Sequence, residues 1–120
     1  MKRLGRYAGV GVLATAVHYL VLIACVERAH WPAWLGSGVG ALAGAQVAYA
    51  GNRWYTFAHR GPVLASWLRF HATAGLGALV GMAVVGAGVR LGVHYLLAQV
   101  VATLLAMLLT YLVNRAWSFR

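Results

Sequence analysis

Acidic side chains are almost absent from this chain of 120 residues: Glu27 is the only one, against ten lysines and arginines. Charged residues of both signs make up 9% of the sequence, and hydrophobic residues make up 62%. A soluble domain carries about 25% charged residues, because polar side chains must cover its surface in water. The composition therefore excludes a soluble globular protein and indicates an integral membrane protein.

The scarcity of cysteine and of carboxylates also excludes several kinds of site. The single cysteine, Cys25, rules out a disulfide within the chain and a cysteine-based metal site. One carboxylate cannot form a paired-carboxylate site, and no catalytic triad, metal-ligand spacing, P-loop or dinucleotide-binding motif occurs. We therefore expect no enzyme activity, no metal site and no cofactor.

Proline is scarce as well, and both prolines, Pro32 and Pro62, lie between long apolar runs rather than inside them. Four such runs approach the length of about 17–25 residues that crosses the hydrocarbon of a bilayer. In lipid the backbone must satisfy its own polar groups, so these runs are predicted to be helices. The sequence predicts one all-α domain over residues 1–120, an integral membrane four-helix bundle with spans at about 7–26, 35–51, 72–89 and 95–113.

The basic residues indicate the orientation of the spans. Eight of the ten lie at the N-terminal end, in the central loop or at the C-terminal end, and only Arg28 and Arg90 lie on the other side. By the positive-inside rule, both termini are predicted to be cytoplasmic. A formal charge of +9 also raises the question of nucleic acid, but the basic residues lie singly or in pairs at the ends of apolar runs. That distribution is typical of membrane topology, so we expect no nucleic-acid partner.

An internal repeat divides the chain into two halves. Residues 49–57, YAGNRWYTF, align with residues 111–119, YLVNRAWSF, with Tyr, Asn, Arg and Phe at matching positions. The alignment predicts two tandem two-helix repeats that have the same orientation, because each repeat crosses the membrane twice.

At these residues the sequence resembles the GtrA-like family of small four-span bacterial membrane proteins, whose second and fourth helices each end in an Asn-Arg-x-Trp-Thr/Ser-Phe-like motif. The copy at residues 114–119 fits this motif closely, whereas the copy at residues 52–57 places its Trp one position early. The resemblance implies a multi-pass protein of the bacterial inner (cytoplasmic) membrane that translocates a polyprenyl-phosphate-linked sugar, such as undecaprenyl-phosphate glucose, for cell-surface polysaccharide modification. The alternative is a non-transporting scaffold or subunit for a polyprenyl-phosphate glycosyltransferase. A proton-coupled drug exporter of similar length would need a membrane-buried carboxylate, which the spans lack.

The two Asn-Arg pairs are the predicted site for the phosphate of such a carrier lipid. A planar guanidinium can hold two phosphate oxygens at once, and an amide beside it can donate a further hydrogen bond. Arginines at the inner ends of spans can instead be membrane anchors that reach lipid phosphates, and this alternative stays open. The predicted phosphate site comprises Asn52, Arg53, Asn114 and Arg115, with Arg6 and Arg69 completing a basic ring.

Polar side chains inside the spans are the predicted path for the sugar. Thr15, His18 and Tyr19 share a face of the first helix, because residues three and four positions apart are neighbours on a helix. An interhelical hydrogen bond is the alternative role for His18. Gln99 is expected near the outer boundary, in contact with water. The predicted groove lining comprises Thr15, His18, Tyr19, Gln46, Tyr49, Tyr111 and Trp117.

Small residues recur at helical spacing in two spans: Gly36, Gly40 and Gly44 in the second, and Gly77 and Gly81 in the third. Such stripes let helices approach closely, so we expect tight packing within the bundle or between copies of the chain. Because four short helices bury little interior, we also expect a homo-oligomer or a partner protein, such as a membrane glycosyltransferase, in addition to membrane lipid.

Overall fold

The computed structural model describes residues 2–56 and 63–113, and within those ranges the side chains at positions 3, 4, 56, 63, 110, 111 and 113 lie outside the description. All regular secondary structure in these ranges is helical, which confirms the predicted all-α fold. The α-helices are α1 (Lys2–Ile23), α2 (Ala33–Ala50), α3 (Val63–Arg90) and α4 (Tyr95–Val113). Two of them continue into π-helical turns, Ala24–Arg28 after α1 and Gly51–Thr56 after α2.

Local signals in the sequence produce the two short connections. His30 takes a left-handed conformation (φ 57°) after the first π-helical turn, and Pro32 is the N-cap residue of α2. The helical region is disfavoured for a residue that precedes proline, so α1 cannot continue into α2. After α3, Gly92 is left-handed (φ 85°), and the Val93 amide donates to the carbonyl oxygen of Gly88 at 2.9 Å, as is usual at a glycine-capped helix end. The chain therefore folds as two helical hairpins, α1–α2 and α3–α4.

Helix α3 begins earlier than the predicted third span. It starts at Val63, whereas that span starts at 72, so Ser66 and Arg69 lie on helix rather than in a loop. Hydropathy reports only the apolar part of a helix, and a helix can continue beyond the hydrocarbon where its polar side chains reach water. The extension matters because it brings Ser66 beside the end of α2.

The helices form an open ring in which α1 packs on α2, α2 on α3, and α3 on α4. Glycines of α2 make the first contact. A Cβ atom added to Gly40 would lie 2.5 Å from the carbonyl oxygen of His18, and one added to Gly44 would lie 2.8 Å from that of Ala14. Only glycine allows backbones to approach so closely, so the prediction of tight packing is confirmed for this stripe.

The glycines of α3 behave differently. Gly77 and Gly81 line a cavity, and a Cβ atom added to Gly81 would come no closer than 3.8 Å to a neighbouring atom. The predicted tight contact within the bundle is therefore not found at Gly81, because facing residues such as Ala45 and Ala102 are also small and leave space between the helices.

The outside of the bundle is apolar. Val12, Leu20 and Leu79 are 71%, 66% and 65% exposed, and soluble monomers rarely expose contiguous apolar surface on this scale. In the described part of the chain, two helical stretches, Gly5–Arg28 and Leu64–Arg90, are long and apolar enough to cross a membrane, and α4 is apolar but shorter. The exterior therefore suits hydrocarbon better than water.

Candidate ligand-binding site

All four helices contribute to a cavity of about 310 Å³ that lies between them. Most of its wall is alanine and glycine, so the cavity exists because small side chains of neighbouring helices face one another. Its polar lining comes from α1, α2 and α4. The polar side chains are Thr15, His18, Ser37, Gln99 and Thr103.

A hydrogen-bond network closes one end of this cavity. Ser37 Oγ donates to Gln99 Oε1, and Gln99 Nε2 donates to Thr103 Oγ1 at 3.2 Å. The Tyr19 hydroxyl lies 2.7 Å from Thr103 Oγ1 and 3.3 Å from the Gln99 carbonyl oxygen, which ties α1 to α4. Ser37 and Gln99 are each 1% exposed. The expectation that Gln99 contacts water is wrong, because α4 starts at Tyr95 and Gln99 already faces the bundle interior one turn later.

Ser37, Gln99 and Thr103 were not among the predicted site residues. Gln99 and Thr103 are four positions apart and therefore share a helix face, which is a signal in the sequence. However, leucines such as Leu104 and Leu108 surround them on α4, so apolar periodicity alone does not show which face of this helix meets the interior.

His18 lines the cavity and carries a buried nitrogen that lacks a partner. Its Nε2 atom makes no hydrogen bond within the described ranges. A buried polar atom without a partner costs about 1–3 kcal/mol, so a ligand that hydrogen-bonds at this position is favoured. Thr15 lines the same cavity from the same helix. The structure thus brings together two of the predicted groove residues.

Gln46 lies outside the predicted groove and joins an aromatic cluster on the exposed side of α2 and α3. Its Nε2 atom is 2.7 Å from His71 Nε2, and His71 Nδ1 donates to the Trp67 carbonyl oxygen at 2.9 Å. Because Nδ1 donates, Nε2 of the neutral ring accepts, and the Gln46 amide is the donor. The Trp67 and His71 rings stack at 4.0 Å. Gln46 cannot share a groove with His18, since it is two positions from Gly44, which faces α1, and such residues point to nearly opposite sides of a helix.

Arg53 is buried at the end of α2, with 8% of its surface exposed. Its Nη1 atom donates to Ser66 Oγ at 3.0 Å, and its guanidinium carbon lies 5.5 Å from the centre of the Trp54 ring. Ser66 Oγ is also 2.7 Å from the Tyr49 hydroxyl. This placement disfavours the anchoring alternative, in which the charged group would extend into the headgroup layer. Glu27, the only acidic side chain of the sequence, lies at the opposite end of the bundle.

The other predicted phosphate ligands gather only in part. Arg6 Nη1 donates to the Tyr55 carbonyl oxygen at 3.2 Å, and its guanidinium carbon lies 4.8 Å from the centre of the Tyr55 ring, so it joins α1 to the end of α2. Asn52 Oδ1 is buried and has no hydrogen-bond partner among the residues that the structure describes. Arg69 is exposed on α3. We call this end, with Arg6, Asn52 and Arg53, the basic end.

Four predicted site residues fall where the structure gives no side-chain position. The Tyr111 side chain and the whole of Asn114, Arg115 and Trp117 lie outside the described residues. Helix α4 runs toward the basic end, as α2 does. The second half of the phosphate site therefore stays a prediction.

Aromatic side chains link the cavity to the basic end. Phe70 lines the cavity, and its ring centroid is 5.6 Å from that of Tyr49. Tyr49 in turn reaches Arg53 through Ser66. Tyr49 and Tyr19 were predicted to line the groove, but both lie beside the cavity. Tyr49 lies behind Phe70, and the Tyr19 hydroxyl contacts Thr103 of α4. Three side chains, Phe70, Tyr49 and Ser66, thus connect the cavity to Arg53.

An apolar helical bundle that encloses polar side chains and has arginines at one end defines an integral membrane protein with an internal cavity. More particularly, the chain belongs to the GtrA/DPMS transmembrane domain family, whose profile matches residues 6–120 and so covers all four helices. Members of this family are generally non-catalytic membrane proteins, and membership indicates a role in handling polyprenyl-phosphate sugars. Comparison with curated proteins found no match, and comparison with solved structures found none.

Proposed function

We propose that the protein translocates a polyprenyl-phosphate-linked sugar, such as undecaprenyl-phosphate glucose, across the bacterial inner membrane for modification of cell-surface polysaccharide. The observation that carries the proposal is a cavity inside an apolar bundle with five polar side chains in its wall, connected to the buried Arg53 through Phe70, Tyr49 and Ser66. Family membership supports the carrier class, and the cavity supports passage of a polar headgroup through the hydrocarbon.

The cavity suits a single sugar unit. Its volume of about 310 Å³ lies at the lower end of the range of about 300–1,000 Å³ for small-molecule pockets. A hydroxyl that enters hydrocarbon without a hydrogen bond costs about 4–8 kcal/mol, and a sugar carries several hydroxyls. Thr15, His18 and Thr103 can replace the lost water with donors and acceptors, so this lining lowers a barrier that an apolar wall would leave in place.

The phosphate of the carrier is proposed to bind at the basic end. Each helix C-terminus has a partial negative charge that disfavours an anion, so the arginines must supply the attraction. Arg53 and Arg6 are proposed as its first ligands, because a guanidinium can bind two phosphate oxygens in one plane. Arg69 and the Asn114–Arg115 pair are proposed as further ligands at the same side of the membrane.

The alternative function is that of a non-transporting scaffold or subunit for a membrane glycosyltransferase. It requires a surface for the enzyme and leaves the polar side chains of the cavity without a role. Because few large side chains are completely buried, among them Leu22 and Val85, we further propose that membrane lipid and either a second copy or that enzyme complete the assembly.

A translocation assay in vesicles tests the proposed function. The full chain is reconstituted with a polyprenyl-phosphate carrier that bears a fluorescent sugar, and a membrane-impermeant quencher reports how fast the sugar changes sides. His18→Leu should slow translocation and leave carrier binding intact, because it removes a hydrogen bond in the cavity and not at the phosphate. Arg53→Lys should weaken carrier binding about tenfold, because an ammonium cannot hold two oxygens in one plane and a charged hydrogen bond contributes about 1.5–3 kcal/mol.

Leu20→Ala is the matched control, since Leu20 is 66% exposed on the outside of α1, and it should leave binding and translocation unchanged. Wild-type protein that binds the carrier and a glycosyltransferase without moving sugar would establish the scaffold alternative. Poor folding of His18→Leu with normal transport by the surviving protein would show that His18 only packs helices.

A further inference from the structure

Helix α1 has two neighbours around the cavity but packs tightly against only one of them. In the α1–α2 contact, glycines of α2 approach the backbone of α1 closely, as shown above for Gly40. The other packed pairs are also close: a Cβ atom added to Gly38 would lie 2.6 Å from Met82 Sδ, and one added to Gly88 would lie 2.9 Å from Ala98 Cβ. We call the remaining boundary, between residues 12–19 of α1 and residues 103–107 of α4, the α1–α4 seam.

Hydrogen bonds from tyrosine hydroxyls, rather than packed helix faces, hold α1 to α4. At the end of the bundle far from Arg53, the Tyr95 hydroxyl donates to Glu27 Oε1 at 2.8 Å. Within the seam, the Tyr19 hydroxyl is 2.7 Å from Thr103 Oγ1. Side-chain bonds can open by a change of rotamer, whereas backbone contact yields only when whole helices move.

The cavity reaches the outside of the bundle at this seam. Thr15 of α1 and Met107 of α4 both line the cavity, and both are exposed at the surface of the bundle. Val12, beside Thr15 on the seam, is 71% exposed. The wall between cavity and surroundings is therefore thinnest here.

We propose that the α1–α4 seam is the lateral opening through which the prenyl chain of the carrier extends into the bilayer while its sugar occupies the cavity. This inference rests on the proposed function. A prenyl chain must stay in hydrocarbon, so a sugar inside the bundle requires a gap between helices for its own chain. The seam leads toward Arg6, which is nine positions, or about 14 Å, from Thr15 along α1, so phosphate, sugar and chain each meet a suitable surface.

The competing exit is the apolar groove between α2 and α3, which is lined by Leu42, Leu76 and Met82 among others. These two helices are packed against each other, so a chain that left the cavity there would have to separate a closed contact. The competing occupant of the seam is a second copy of the chain, which would cover the seam and block it.

Cross-linking across the seam in the reconstituted full chain tests the opening. In a Cys25→Ala background, Thr15→Cys and Met107→Cys are joined by a short, cleavable bismaleimide. Translocation should fall to the level of protein-free vesicles relative to the same variant before cross-linking, and cleavage of the linker should restore it. The matched control is Gly36→Cys oxidised to a direct disulfide with the native Cys25, since the Cβ atoms would lie 3.1 Å apart, too close for a bismaleimide, and the bond joins α2 to the π-helical turn after α1 on the closed side. That link should leave translocation unchanged.

Photolabelling of the wild-type chain gives a second, independent measurement. A polyprenyl phosphate with a diazirine near the phosphate end of its chain should label residues beside the seam, such as Val12 and Leu104. Labels confined to Leu42 and Leu76 would overturn the proposal in favour of the α2–α3 groove, and cross-links between two copies at the seam would overturn it in favour of a dimer interface.

The outcomes separate this inference from the proposed function. Continued translocation with the seam cross-linked overturns the lateral opening and leaves the proposed function standing. Wild-type protein that shows neither translocation nor labelling overturns the proposed function, and the opening with it.

Discussion

Helix α1 meets α2 and α4 by opposite means. Against α2, glycines bring backbone into contact with backbone and leave no room for even a methyl group at Gly40. Against α4, the contact consists of tyrosine hydrogen bonds beside a polar cavity. In lipid there is no hydrophobic drive between helices, so close packing and hydrogen bonds are the two means that remain. The chain uses the first in the α1–α2 interface and the second where α1 and α4 border the cavity.

The largest expected effect on the free energy of unfolding comes from disrupting the close α1–α2 contact. Gly40→Leu places carbon atoms where the His18 carbonyl oxygen lies, and a backbone atom cannot move aside as the end of a side chain can. We expect a loss of at least about 3 kcal/mol in the free energy of unfolding, since overpacking alone costs about 1–3 kcal/mol. Titration with sodium dodecyl sulfate in mixed micelles measures this loss.

Gly9→Leu, on the exposed side of α1, is the control. A Cβ atom added to Gly9 meets nothing within 4 Å, so this variant should unfold at the same detergent fraction as the wild type. Equal stability of Gly40→Leu and Gly9→Leu would mean that the α1–α2 contact is looser than described.

A smaller effect is expected from the network on the cavity side. Gln99→Leu leaves Ser37 Oγ without its acceptor and removes the amide that bonds Thr103, so we expect a loss of about 1–2 kcal/mol in the same titration. Gln46→Leu is the matched control, because Gln46 is exposed and its partner His71 keeps its bond to the Trp67 carbonyl oxygen. A larger loss for Gln46→Leu than for Gln99→Leu would contradict the assignment of the buried network.

The smallest expected effect is also the most direct test of the α1–α4 contact. Tyr19→Phe keeps the ring and removes only the hydroxyl between α1 and α4, so the free energy of unfolding should fall by about 0.6 kcal/mol, the average for such bonds in membranes. Reaction of the Thr15→Cys and Met107→Cys pair with the bismaleimide should become faster, because the seam opens more often. Tyr55→Phe should change neither quantity, since Arg6 contacts the ring and the carbonyl oxygen of Tyr55. An unchanged cross-linking rate in Tyr19→Phe would show that this hydroxyl does not hold the seam.

The sequence predicted the close α1–α2 contact better than the looser packing around the cavity. Glycines every four positions, as at Gly36, Gly40 and Gly44, have a direct physical meaning, because they create a smooth strip along one helix face. Within the bundle the same reasoning failed for Gly81, since a strip of small residues packs tightly only if the facing helices approach it. That approach depends on the neighbours of α3 and not on α3 itself.

At the basic end, the Asn-Arg motif identified Arg53, but nothing in the sequence indicated Ser66 as its partner. The apolar window of the third span begins at 72, so residues before it were read as loop, although they continue α3. The burial of Arg53 could not be foreseen either. It depends on the π-helical turn after α2 and on the position of α3 beside it.

By itself the sequence determined the membrane class, the four helices, the family and which end carries the arginines. These properties depend on composition or on patterns within one segment: apolar length, turn residues and a short motif. Only the tertiary structure decided that His18, Ser37 and Gln99 share a cavity and that tyrosines hold α1 to α4. Those contacts depend on how far each helix is rotated about its axis. In a helix that is apolar on nearly every side, hydrophobic periodicity does not set that rotation, and packing against its neighbours does.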